Sequence, residues 1–216
     1  MRAAQTTLRR PALLLPRRAE RPRRERAGTA YSDAVWLFGT MFLAGYLPGI
    51  WLGRGSISAL GQELAAYYTK SPENAAFAAI FGMEFSVSFL QLTAVFLCGF
   101  CVLGVGLLAL LFAARGVFLG YCAASVAAVN GAAGLVQYRL ATIGTDTAAL
   151  FLCLWLAGWS ARLAGELFNI ICGRATRETP GTLRRLAARF GAALVLSAVF
   201  SAVWTFLAFV TAKVGR

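Results

Sequence analysis

The residues with the greatest chemical potential in this chain are Arg115, Arg139 and Asp146, three ionisable side chains within or at the edge of long apolar runs. A charge at the centre of a bilayer costs about 2.5–3.5 kcal/mol on insertion scales, so such a residue is paired, snorkels to the headgroups, or serves an ion or substrate path. Arg139 and Asp146 are spaced to share one face of an unbroken helix. Cys98-Gly-Phe-Cys101 has the spacing of a redox dithiol. A reactive cysteine needs a thiolate, however, and apolar surroundings disfavour one, so the pair reads as small packing residues. The chain has five cysteines, an odd number and mostly inside apolar runs, which is not a disulfide framework. It has no histidine. That removes Ser-His and Cys-His pairs, the HExxH motif and every imidazole metal ligand. A GxxxxGK[ST] phosphate loop is missing as well. No catalytic, cofactor-binding or metal-ligating set can be assembled from these residues, and the expectation is a protein that is not an enzyme.

Glycines form the second pattern. Gly45, Gly49 and Gly53 recur every four residues, Gly116 and Gly120 repeat the spacing, and Gly99, Gly104 and Gly106 punctuate an apolar stretch. In lipid, helices gain nothing by hiding apolar surface from water, so small residues that permit close backbone approach hold them together. Such a face packs inside a bundle or docks a partner's single span.

These residues must be carried by membrane-spanning helices. Phe85–Tyr138 holds a single charge, Arg115, and mean hydropathy over the whole chain is +0.67. Of the 216 residues, 59% are hydrophobic and 14% charged, well below the quarter charged of a soluble protein. The net charge of +12 comes from arginines flanking the apolar runs, where topology and anionic lipid explain it better than nucleic acid does. No nucleic-acid-binding motif accompanies the charge.

The expected organisation is an all-α polytopic bundle of five transmembrane helices, N-terminus in and C-terminus out. Residues 1–33, with nine Lys/Arg against three acids, read as a disordered basic cytoplasmic arm. The spans are expected near 34–53, 83–103, 107–130, 140–161 and 191–210, the first as an uncleaved signal anchor. The turn between spans two and three has two candidate positions, Gly104-Val-Gly106 and Arg115-Gly116. The first places Arg115 at membrane depth and the second frees it in a loop. An outside loop over 54–82 contains a short interfacial helix at Gly61–Tyr68, and Glu84 sits at the outer interface. Ile143-Gly144-Thr145-Asp146 is expected to break the fourth span. A basic cytoplasmic loop over 162–190 contains a helix starting at Thr179-Pro180, with Leu183, Leu186, Ala187 and Phe190 on one face and arginines on the other.

The stretch Leu97–Gly120, LCGFCVLGVGLLALLFAARGVFLG, resembles the stage II sporulation protein M family. The pattern is a pair of glycines, an apolar run, then a basic residue followed by Gly and a second Gly four on, carried here by Gly99, Gly104, Arg115, Gly116 and Gly120. A weaker similarity extends over about residues 34–210. Family members often carry a Pro-Gln-Asn-like break in the fourth span, where this chain has Gly144-Thr145-Asp146. The resemblance implies a non-enzymatic membrane scaffold of the engulfment machinery of spore formers. Such a scaffold recruits the peptidoglycan-degrading stage II sporulation proteins D and P to the septal membrane of the mother cell. The rival expectation, drawn from the broken span and the ionisable residues at depth, is the membrane subunit of a small transporter or ABC-type permease.

Overall fold

The computed structural model describes residues 23–54, 59–69, 77–173 and 179–214, all helical except for short turns. The helices are α1 (Arg23–Arg54), α2 (Ala59–Thr69), α3 (Phe77–Cys98), α4 (Gly104–Ile171) and α5 (Thr179–Val214). Among the described residues, five segments are long and apolar enough to cross a membrane: Ser32–Arg54, Phe77–Cys98, Gly104–Val136, Gly144–Ile171 and Gly181–Leu207. The protein is an all-α polytopic membrane bundle.

The centre of the bundle is α4, which is not one rod. Gly131 has φ 64° and ψ −158°, a backbone conformation open essentially to glycine alone. There the helix folds back, and residues from the two sides of Gly131 meet. Arg115 reaches Asp146, and Cys122 lies in one buried cluster with Tyr138. The two limbs, 104–130 and 132–171, are therefore antiparallel spans joined by one residue. This corrects the expected break at Ile143–Asp146, where the helix runs on uninterrupted.

The helix α1 runs parallel to the first limb. Its buried face is Phe38, Gly45, Gly49 and Gly53, and Phe38 stacks on Phe112 at 5.5 Å between ring centroids. Its other faces expose large apolar side chains, as lipid requires. Thr40 and Ser86, on exposed faces of α1 and α3, donate their hydroxyls to Leu37 O (2.8 Å) and Gly82 O (2.6 Å) of their own helices, which spares them an unpaired donor in hydrocarbon. On the other side of α4 lie α3, burying Ser88, Leu92 and Val95, and α5, burying Leu186, Ala193, Ser197, Ser201 and Thr205. Side chains of α1, α3, both limbs and α5 meet in one core. At the opposite end α2 sets Ala65 against Cys122, Val126 and Tyr138, so the short helix expected at Gly61–Tyr68 caps the α4 hairpin.

Several boundaries differ from expectation. Helix α1 begins at Arg23, inside the stretch read as a disordered arm, and residues 1–22 lie outside the described residues. Helix α3 starts at Phe77 and ends at Cys98, so the turn to α4 occupies 99–103, just ahead of Gly104, and Arg115 lies within a span. Within 162–190, residues 162–171 and 179–190 are helical and 174–178 lie outside the described residues. The second limb of α4 extends to Ile171, and α5 starts at Thr179 as expected but continues without a break into the last span.

Trp36 and Trp51 are 73% and 77% exposed on α1, about 22 Å apart along the helix, and mark two levels of the bundle. Through the packing register, Trp36 stands level with the start of the first limb, with Trp159 of the second limb and with Arg189 of α5. By the positive-inside rule this arginine-rich end faces the cytoplasm. Cys172, exposed beyond Ile171, tests that orientation. With Cys98 and Cys101 replaced by alanine, a membrane-impermeant maleimide will label Cys172 in inside-out vesicles and leave right-side-out vesicles unlabelled. Labelling in the right-side-out preparation alone would invert the topology.

Candidate functional site

Two constellations deserve consideration as a site, the glycine faces and the charges at depth. The glycines come together within the chain. A side-chain carbon placed at Gly45 would fall on the main-chain oxygen of Ala113, and one at Gly49 on that of Val117. At Gly53 it would lie 2.6 Å from the Cβ of Ala124. Reciprocally, Gly116 faces Phe42 and Tyr46, and Gly120 faces Tyr46 and Ile50. The two four-residue repeats are thus the two sides of one contact, each filled by the other, and neither is left open for a partner's span. A side-chain carbon placed at Gly99 would come 3.2 Å from Ser160, and one at Gly104 would meet the carbonyl of Cys98 and the side chain of Ala164, so the α3–α4 turn lies on the second limb. Gly106 has open space around it and takes no part in packing.

The charges form a cluster shared by α3 and both limbs of α4. Arg115, eleven residues into the first limb, lies about 16 Å along it, well inside the span Gly104–Val136. Its Nη1 donates to Oε1 of Gln91 on α3 and lies 3.9 Å from the sulfur of Cys153. Its Nη2 donates to the main-chain oxygen of Asp146 at 3.2 Å. On α3, one helical repeat before Gln91, Glu84 accepts a hydrogen bond from the hydroxyl of Thr145 and lies within electrostatic reach of the Asp146 carboxylate. Arg115 acts electrostatically on that same carboxylate. Glu84 therefore joins this cluster from about 10 Å farther along α3 toward the outer end. Arg139 lies on α4 as the sequence spacing requires, with its side chain outside the described residues.

Chemically, the arrangement satisfies a buried guanidinium with a neutral amide and a carbonyl, and sets two carboxyl groups against a hydroxyl. It can hold helices in register, and it offers a small ion or proton polar groups at membrane depth. The sequence had named Arg115 and Asp146 but missed Glu84, Gln91, Thr145 and Cys153. The available signal was the seven-residue spacing of Glu84 to Gln91 and of Asp146 to Cys153, which puts each pair on one helix face.

Gly144 has a packing role. The indole ring of Trp204 on α5 occupies the space a side chain at 144 would need, so the Gly144-Thr145-Asp146 sequence admits α5 and presents Asp146 without breaking the helix. Cys98, Cys101, Cys122, Cys153 and Cys172 form no disulfide among the described residues. Among the described residues, no group of three His, Cys, Asp or Glu side chains could hold a metal ion.

Comparison with known proteins adds no relative: no family model, curated protein or solved structure matches the chain.

The glycine contact makes a graded prediction. Gly45→Leu or Gly116→Leu drives a side chain into opposing backbone and should cost about 1–3 kcal/mol of bundle stability, the usual range for overpacking. Gly106→Leu should stay within about 0.5 kcal/mol of the parent protein. Unfolding in mixed micelles orders the three, and equal losses at Gly45 and Gly106 would contradict the packing described.

Proposed function

We propose that this protein is a non-enzymatic membrane scaffold similar to the stage II sporulation protein M family. In this reading it places the peptidoglycan-degrading stage II sporulation proteins D and P at the septal membrane of the mother cell. The observation that carries the reading is the position of the five residues behind the resemblance. Gly99 and Gly104 set the α3–α4 turn onto the second limb, Arg115 ties three spans, and Gly116 and Gly120 seat α1. A pattern spent wholly on building the bundle suits a protein whose product is placement. Support comes also from the distribution of the described residues, nearly all of which lie in long helices with little mass beyond the membrane. With the glycine faces closed, the surface offered to such partners is the outer end, formed by α2 and the Gly131 turn.

The experiment is a fluorescent fusion followed through starvation beside a deletion strain, with affinity recovery of proteins D and P. The expected outcome is signal at the asymmetric septum, stalled membrane migration in the deletion, and co-recovery of at least one of the two proteins. Even distribution in growing cells, together with unaffected sporulation in the deletion, would overturn the reading.

A second reading, the membrane subunit of a small transporter, is favoured by one observation: Glu84, Gln91, Arg115 and Asp146 come together within the spans, and transporters hold coupling ions at polar groups inside the membrane. It predicts that Asp146→Asn abolishes uptake or export in vesicles while the protein still inserts. Flux indistinguishable from the parent would remove this reading.

A further inference from the structure

The turn between α3 and α4 carries the Cys98-Gly-Phe-Cys101 pair, and only one of its two thiols packs. Cys98, the last residue of α3, lies half-buried against the core. Cys101 is exposed and stands outside the core. The N–H of Cys101 donates to Cys98 O at 3.2 Å. That bond closes a turn that starts at one cysteine and ends at the other, and it brings their Cα atoms within about 7 Å. The two thiols act on each other electrostatically. Cys101 O in turn accepts from the N–H of Gly104 at 2.9 Å, so the pair is held to α3 at one end and to α4 at the other.

Residues 99–103 join the ends of two spans, Phe77–Cys98 and Gly104–Val136. Irregular main chain exposed to lipid does not occur within the hydrocarbon, so the turn lies at a membrane face. That face is the arginine-rich one. Phe96 stacks on Phe190 at 4.4 Å, and a side-chain carbon at Gly99 would come 3.2 Å from Ser160, which places the turn beside the neighbours of Arg189 and Trp159. A cytoplasmic face keeps such a pair reduced. We propose that Cys98 and Cys101 together form a binding site for a soft monovalent metal ion, Cu(I).

Ligand number selects copper. Thiolates favour Cu(I), zinc and iron–sulfur clusters. A structural zinc site and an iron–sulfur cluster each need further ligands, and the other cysteines are out of reach. Cys153 lies beside Arg115, about 10 Å along the second limb from Ser160. Cys172 is about 18 Å from Ser160 in the other direction. Cys122 belongs to the cluster under α2 at the opposite end. Among the described residues no third His, Cys, Asp or Glu completes a set. Cu(I), with a filled d shell, is satisfied by two thiolates on opposite sides. Each thiol gives up its proton on binding, the copper keeps its oxidation state, and the site is left with one negative charge at the arginine-rich end. A donor for that charge stands at the turn: Ser160 is fully buried, and its hydroxyl has no hydrogen-bond partner among the described residues. The site is separate from the Arg115 cluster and from the outer end, so it is independent of both functional readings above.

The test uses the full chain, reduced and in nanodiscs without oxygen, titrated into the coloured complex of Cu(I) with bicinchoninate. The parent chain and a Cys172→Ser variant should withdraw copper alike, and Cys98→Ser and Cys101→Ser should each lose that capacity. Cys101 is exposed, so Cys101→Ser keeps the fold, which equal elution from a sizing column checks. X-ray absorption of the loaded parent should show copper bound by two sulfurs, and a molar excess of Zn(II) should leave it in place. Copper withdrawn equally by either serine variant, displacement by zinc, or no withdrawal by the parent overturns the proposal. So does a Cys98–Cys101 disulfide in protein acid-trapped and alkylated from the native membrane, which would make the pair a redox couple instead.

Discussion

The bundle depends on how closely two backbones approach. In lipid the apolar side chains of α1 are as comfortable outside the protein as inside it, so burying them gains little. What holds α1 is dispersion between main chains, available only because Gly45, Gly49 and Gly53 on one helix meet Gly116 and Gly120 on the other. The attraction per atom pair is small and falls steeply with distance. Interlocking glycines multiply the number of such pairs along a parallel seam. Phe38 and Phe112 extend the seam toward the cytoplasm with a ring stack. The first limb of α4, gripped in this way, becomes the reference surface on which the second limb, α3 and α5 are assembled.

The polar cluster complements the seam. Dispersion between helices fixes separation but tolerates sliding, whereas a hydrogen bond from a guanidinium does not. Arg115 bonds α3 through Gln91 and the second limb through the Asp146 carbonyl, which sets the depth of three spans relative to one another. Interhelical hydrogen bonds in membranes average only about 0.6 kcal/mol, so the cluster contributes more to register than to total stability. The Thr145–Glu84 bond adds a second tie between α3 and the same limb. The charges that suggest transport are, in the folded bundle, also the pins that align it.

Much of this architecture was legible in the sequence because a membrane imposes a coarse grammar. Apolar runs long enough to cross, flanked by arginine, give the number of spans, and the four-residue glycine spacing marks α1 and the first limb as close-packed. The turns were less legible. Asn130-Gly131 is a turn dipeptide, but it sits in a long apolar run and drew less weight than Gly144-Thr145-Asp146, which has the composition of a break. Tertiary contact decided otherwise: Trp204 covers Gly144, and Asp146 gives its carbonyl to Arg115. In the stretch 162–190 the arginines dominated the reading, although Leu163, Ala164, Leu186 and Phe190 are spaced for two helices that face each other.

The single-residue turn at Gly131 has a consequence for biosynthesis. A nascent span can leave the translocation channel sideways as soon as it is apolar enough, but the first limb of α4 carries Arg115. One of its partners, Gln91, has been made 24 residues earlier. The other, the carbonyl of Asp146, is made 31 residues later. With no hydrophilic linker to park outside, the two limbs reach the bilayer most cheaply as a closed hairpin, the arginine already satisfied. The order of synthesis then runs opposite to the order of dependence: the fourth span completes the third, and the ribosome must finish both before either is at home in lipid.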